Sequence, residues 1–272
     1  MKYLKKIPRI VLTVILFLIF FFPFYWMLIT SVKTLGETVQ FPPSLWPEVF
    51  QWKNFVQAFN AIPFMDYLKN SIIVTLAVLV LQMITIIPCA YAFARYRFKG
   101  DKIIFGLIMM TMMIPAQLVF LPIFIMFSKL GWINTYQSLI LPFASSAFGI
   151  FMLRQTFKQV PKELLEAAKL DLASEFKIIT KIMLPLARPT LTTLGLLTFI
   201  STWNDYFWPL VLTTKDTVRT LPVGIAALRN IESGVNYHVL MAGNVMLVIP
   251  ILIAFVLCQK QIIKAFTYMG DK

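Results

Sequence analysis

The sequence predicts an all-α membrane protein with six transmembrane helices, and three observations carry that reading. Of the 272 residues, 59% are hydrophobic and only 14% are charged, with a mean hydropathy of +0.78. A water-soluble domain of this length does not carry so little charge. Six apolar runs each approach or exceed the roughly 20 residues that cross a bilayer. Finally, Lys and Arg gather at the ends of those runs and not along one amphipathic face. The net charge of +13 therefore reads as membrane flanking rather than nucleic-acid binding, for which no motif occurs.

The predicted spans are about 10–32, 71–94, 102–128, 136–157, 189–212 and 238–259 of a single domain covering residues 1–272. The first follows a basic lead of Lys2, Lys5, Lys6 and Arg9, as a signal peptide would. Its apolar run is too long for one, and no small-residue cleavage site follows, so a retained helix is expected. Pro23, Pro88, Pro115, Pro122, Pro142 and Pro250 fall in or near the spans. Proline is tolerated there when neighbours satisfy the freed carbonyl, and kinked helices around a cavity or simple packing both follow. Cys89 and Cys258 lie inside apolar runs and read as small buried residues. His238 is the only histidine, so no metal cluster is expected, and it reads as an interfacial residue opening the last span.

Orientation follows from the basic residues. Of the 25 Lys and Arg, 18 fall in the four segments that share a side with the N-terminus and 7 in the other three. Both termini and the segment 160–188 are thereby expected in the cytoplasm.

That segment is a charged interruption, PKELLEAAKLDLASEFKIITKIMLPLARP from Pro161 to Pro189. Pro161 suits a first helical turn, and Glu163 and Glu166 suit the positive end of that helix. Leu165, Ala168, Leu172, Phe176, Ile179 and Met183 recur at spacings of three and four, which predicts one apolar helical stripe. Glu166 then serves either as a helix-terminal charge or as a charge-assisted contact to a partner. Asp171 serves as a contact or as a cap for the following turn. The segment also reads, by pattern alone, as an amphipathic interfacial helix.

Glu166-Ala167-Ala168, then Asp171, then Leu184-Pro185 and Pro189, resemble the EAA loop of ABC-transporter permeases. The sequence departs from that pattern at Leu172, where the family usually has Gly. A Gly permits a left-handed turn that Leu resists, so a softer break, or one shifted to Ser174, is expected. The resemblance extends over nearly the whole chain. It takes in Ser31-Val32-Lys33-Thr34, Phe41-Pro42-Pro43, Tyr91-Ala92-Phe93-Ala94-Arg95, Ile114-Pro115-Ala116-Gln117, Leu153-Arg154-Gln155, Trp203-Asn204-Asp205 and Thr220-Leu221-Pro222. These stretches are similar to the carbohydrate-uptake branch, the group of the smaller maltose permease subunit.

The resemblance implies a type I ABC importer permease in a bacterial or archaeal plasma membrane. It implies a cytoplasmic coupling helix between spans 4 and 5, with Glu166, Ala167, Ala168, Asp171 and Leu172 meeting an ATPase. The implied partners are a second permease subunit in a heterodimer, two ATP-binding subunits, an extracytoplasmic solute-binding protein and membrane lipid. No G-x-x-x-x-G-K-[ST] stretch occurs and no Gly precedes a Lys. ATP and Mg are therefore expected in the partner ATPase, with no catalytic residue, cofactor or metal on this chain.

Residues that touch substrate are less legible. Trp203, Asn204, Asp205 and Tyr206 combine amide, carboxylate and rings, as sugar sites do, and an intramembrane Asp is costly unless it faces a cavity or a partner. The same cluster also reads as an aromatic belt or a helix brace. Gln117, Asn70 and Gln82 are further pathway candidates. The outer segments 33–69 and 213–237 either meet the solute-binding protein or merely connect spans, and the tail 260–272 can reach the ATPase. A sugar or oligosaccharide is the expected cargo. A polyamine, glycerol phosphate or an ion-coupled secondary transporter are the alternatives.

Overall fold

The computed structural model describes residues 7–229 and 236–267. Lys2, Lys5 and Lys6 of the basic lead, residues 230–235 and residues 268–272 lie outside the described residues. The elements, in chain order, are α1 (Ile7–Ser31), α2 (Leu35–Val39), α3 (Lys53–Asn60), α4 (Phe64–Arg95), α5 (Asp101–Thr111), α6 (Phe120–Lys129), α7 (Tyr136–Ile140), α8 (Ala147–Gln159) and α9 (Lys162–Leu170). They continue as α10 (Glu175–Ile178), α11 (Leu184–Leu186), α12 (Arg188–Trp203), α13 (Phe207–Leu212), α14 (Leu221–Ala227) and α15 (Tyr237–Thr267). No strand occurs among the described residues.

Among the described residues, three helices are long and apolar enough to cross a membrane alone: Ile10–Ser31, Phe64–Arg95 and Tyr237–Gln261. Pro23, Pro88 and Pro250 lie inside these helices without ending them. The other three predicted spans are not straight helices. Asp101–Thr111 and Ala116–Lys129 meet at 92°, and Tyr136–Phe143 and Ala147–Gln159 at 40°. In the first, Pro115 is extended at the break, and a residue preceding Pro is disfavoured in the helical region. In the second, the chain leaves the helix after Phe143 and restarts where Ser146 accepts a hydrogen bond from the Gly149 N–H at 3.2 Å. The predicted fifth span also differs, because the helix stops at Trp203 and restarts at Phe207.

Contacts divide the chain into two compact units. One comprises Met1–Tyr67 with Leu221–Pro250, the other Leu68–Thr220 with Ile251–Lys272.

In the first unit, the apolar stretch of α1 is unburied within the chain, so its covering must come from lipid or another chain. The segment after α1 is a folded cap rather than a loose connection. Lys33 is 1% exposed. Its Nζ donates to the Ser44 carbonyl and stands 4.5 Å from the centre of the Trp26 ring, a cation–π contact. Asn54 Nδ2 donates to the Ser31 and Lys33 carbonyls at 3.0 and 2.8 Å. Thr34 and Glu37 form a reciprocal capping box on α2. The second Glu37 oxygen accepts from the Glu48 N–H at 2.7 Å. Gly224 of α14 lies so close to Tyr67 that a Cβ would stand 2.2 Å from the ring, which explains a residue without a side chain there.

In the second unit, α4 is the axis. Val74, Val78, Gln82, Ile86 and Ala90 repeat every four residues and are all buried, so they form one helical face. Val74 and Val78 pack in a cluster with Phe127, Leu139, Trp208 and Leu212. Ile86 and Ala90 pack in another with Ile150, Leu153, Phe157, Leu165, Ile178 and Met183. Gln82 lies between them on that face and mends the break before α8. Its Nε2 donates to the Phe143 carbonyl at 2.9 Å, while Thr85 Oγ1 donates to the Ala144 carbonyl at 2.7 Å. Carbonyls freed by an interrupted helix are thus satisfied by the neighbouring one, as a water-poor setting requires.

Candidate functional site: a polar cavity and a charged loop

The second unit carries two features with chemistry. The first is a cavity of about 230 Å³ lined by residues of α4, α12, α13 and the segments beside them, Thr75, Gln82, Phe143, Asp205, Trp208 and Thr220 among them. The Phe143 and Trp208 rings meet edge to face with centroids 5.7 Å apart. The hydroxyls of Thr75 and Thr220 are buried and lack a hydrogen-bond partner among the described residues. Buried hydroxyls in that state call for water or a polar ligand. Gln82 Oε1 accepts from Thr198 Oγ1 at 2.8 Å, so its amide is held in one orientation.

Asp205 lines this cavity and also works locally. Its Oδ1 accepts from the Trp208 N–H at 3.3 Å, which caps the start of α13. Asp205 therefore braces the chain locally and faces the cavity with the same side chain. Its neighbours do not join it. Trp203 is buried and stacks on Phe199 at 5.6 Å. Asn204 is exposed and donates back to the Ile200 carbonyl at 3.0 Å. Tyr206 is exposed, and Gln117 is exposed at the bend between α5 and α6. Asn70 is spent on structure, donating to the Thr217 and Arg219 carbonyls at 3.2 and 2.9 Å and accepting from the Tyr136 hydroxyl. The cavity-lining Ser71 and Thr75 were not among the sequence candidates. Their signal was visible, since Ser71, Thr75 and the candidate Gln82 share one face of α4.

The second feature is the loop from Pro161 onward. Pro161 precedes α9 as its cap rather than opening it. Leu165 and Ala168 face inward, while Glu166 and Ala167 are exposed. The single apolar stripe read from spacing does not survive: Leu172 is 92% and Phe176 77% exposed, whereas Ile178 and Met183 are buried. The stripe assumed one continuous helix, but α9 ends at Leu170 and the chain turns. Leu172 adopts φ 53, so the left-handed break stays where Gly was expected. The Leu172 N–H donates to the Lys169 carbonyl and the Ala173 N–H to the Ala168 carbonyl, both at 3.0 Å. These two bonds are a Schellman motif. Asp171 is the exposed residue that closes α9. The cap of the following helix is Ser174, whose Oγ accepts from the Lys177 N–H at 3.4 Å.

Glu175, absent from the sequence candidates, ties the loop to α4. It accepts from the Tyr91 hydroxyl and pairs with Lys169 at 3.6 Å. Beyond it, a π-helical turn at Ile179–Met183 precedes Pro185. Pro189 sits in the first turn of α12, which leaves the loop at 81°.

Several known proteins are similar to this chain in sequence or in fold. It is 36% identical to the arabinooligosaccharides transport system permease protein AraQ of Halalkalibacterium halodurans, over 89% of this chain and 86% of that one. It is 34% identical to the trehalose/maltose transport system permease protein MalG of Thermococcus litoralis, over 97% and 96%. Its fold matches a chain in the crystal structure of a bacterial ABC transporter involved in the import of the acidic polysaccharide alginate. That match has a TM-score of 0.83 at 28% identity and covers 95% of this chain and 96% of that one. The all-helical fold is that of a type I ABC importer permease. Residues 86–267 match the family described as the inner membrane component of binding-protein-dependent transport systems, and the chain belongs to that family.

Proposed function

We propose that this chain is the permease subunit of an ATP-driven importer for a sugar or oligosaccharide delivered by a solute-binding protein. The observation that carries the reading is the loop after α8. It buries Leu165, Ala168, Ile178 and Met183 in its own unit while presenting Glu166, Leu172 and Phe176 outward. A short helix anchored from beneath and exposed above transmits displacement as a lever. On this reading the loop is cytoplasmic, as are both termini, the six apolar segments are spans, and Glu166, Ala167 and Asp171 meet one of two ATP-binding subunits. ATP and Mg act there, and a second permease subunit completes the pathway.

The cargo reading is supported by the names of the relatives and by the cavity. Hydroxyls, an amide, a carboxylate and ring edges together match a polyol, whose hydroxyls need hydrogen bonds and whose C–H faces need apolar cover. The test is ATP hydrolysis by the reconstituted complex with its binding protein, scanned over oligosaccharides, glycerol phosphate and polyamines. Stimulation by a saccharide alone supports the proposal. Stimulation only by one of the other solutes rejects the cargo and leaves the importer reading intact. Replacing Glu166 with Lys is expected to reduce solute-driven uptake at least tenfold while the subunit still inserts and assembles. Normal uptake by that variant would remove Glu166 from coupling.

A further inference from the structure

A second cavity in the same unit has no part in the transport reading. About 190 Å³ in volume, it lies where α4 ends, α5 begins and α8 ends. Five cations line it, Arg95, Arg97, Lys102, Arg154 and Lys158, against the single carboxylate of Asp101. That carboxylate accepts from the Lys102 backbone N–H at 2.7 Å and pairs with the exposed Arg97 guanidinium at 3.8 Å. Arg95 is held by the Phe157 and Val160 carbonyls, and its buried Nε has no hydrogen-bond partner among the described residues. Arg154 is fixed over the Phe105 ring at 3.9 Å, with its Nε donating to the Phe93 carbonyl at 3.1 Å. Lys102 and Lys158 have no ion-pair partner among the described residues. Two guanidinium groups are thus locked in place around a concave space with an excess of positive charge, an arrangement suited to a phosphate.

The surface beside the cavity says what carries that phosphate. From Lys102 the helix α5 continues with Ile103, Leu107 and Met110, spaced by four and three and therefore on one side. All three are more than half exposed, whereas Phe105 and Ile108 pack inward against the cluster around Ile86 and Phe157. An anionic head beside an apolar track is the chemistry of a phospholipid, and basic pockets between membrane helices are known to take such headgroups. We infer that this cavity holds the phosphate of an anionic phospholipid whose acyl chain lies along Ile103, Leu107 and Met110. The site is independent of the transported solute and ties the α4–α5 turn to the bilayer.

The test uses the full-length chain in neutral detergent with fluorescent phosphatidylglycerol and phosphatidylcholine as probes. The wild type should prefer phosphatidylglycerol, and the double variant R97Q/K158Q should weaken that binding about tenfold or more. Both residues are exposed, so folding is retained. The variant K162Q/K177Q removes the same charge from exposed positions outside the cavity and should change binding less than about twofold. Equal losses in the two variants would reduce the effect to diffuse charge and overturn the site, as would a wild type without preference. Inorganic phosphate and the exposed-face variant L107N separate the sources. Weaker lipid binding by L107N, with phosphate competing only at far higher concentration than lipid, supports the phospholipid. Displacement of the probe by phosphate as readily as by unlabelled lipid would assign the cavity to a soluble anion and overturn the inference.

Discussion

Gly131 and Leu172 occupy the same position of the same turn, one just beyond α6 and the other just beyond α9. Their φ angles are 68 and 53. In each the following N–H reaches back five residues, Trp132 to the Phe127 carbonyl at 2.8 Å and Ala173 to the Ala168 carbonyl at 3.0 Å. A glycine takes this conformation freely, whereas a side chain there costs about 1–2 kcal/mol. The Leu172 side chain contributes no compensating burial within the chain, being 92% exposed. Replacing Leu172 with Gly is expected to stabilise the turn by about 0.5–1 kcal/mol, after the larger chain entropy of Gly is counted. Hydrogen exchange at the Ala173 amide measures this directly, and slower exchange is the expected result. Replacement by β-branched Val should accelerate it.

Gln82 is the polar residue in the middle of the buried face of α4. Replacing it with Leu strands the Phe143 carbonyl at the helix break and the Thr198 hydroxyl. An unsatisfied buried group costs about 1–3 kcal/mol, so thermal unfolding in detergent should begin at lower temperature. Replacement by Glu keeps one acceptor for Thr198 and loses the donor to Phe143, which places it below the wild type. A Leu variant as stable as the wild type would mean that water supplies the missing bonds.

Glu37 links the cap of α2 to Glu48. Burial works against its charge, but hydrogen bonds from the Thr34 N–H, the Glu48 N–H and the Thr34 hydroxyl, with the nearby Lys33, outweigh it. Its carboxyl is thereby held below the ordinary carboxylate range. A group with a depressed folded pKa adds stability that is fully present above its unfolded value of about 4.3 and is lost as pH falls through the folded value. Unfolding measured from pH 6 downward should show this loss beginning near about pH 4. The variant Glu37→Gln should be less stable at pH 6 and should lose less on acidification. Parallel curves for the two proteins would exclude Glu37 as the source.

The class of the protein was open to reading because its apolar runs are long and a bilayer admits few backbone solutions. The helices containing Pro23, Pro88 and Pro250 were legible for that reason. The bends at Pro115 and around Ala144 were not, since proline inside a membrane helix permits a kink without requiring one. What decides is whether a neighbour can satisfy the freed carbonyls, and for Phe143 and Ala144 that neighbour is α4, some 60 residues earlier in the chain. The loop shows the same limit. Spacing alone placed Leu172 and Phe176 on one apolar stripe with Leu165 and Met183, because a period of 3.6 carries no information about where one left-handed residue resets the helix axis.

By itself, the sequence determined the apolar runs and the place of the charged interruption, since each depends on local stretches of residues and their partition between lipid and water. It also carried the resemblance that names the family. Tertiary structure alone decided which polar residues meet. Asp205 joins Thr75 and Thr220 at a cavity while Asn204 and Tyr206 beside it turn away. Arg95 and Arg154 come together although they lie on different helices. Such meetings depend on how helices cross and where each is capped, and those are set by packing between segments far apart in the chain.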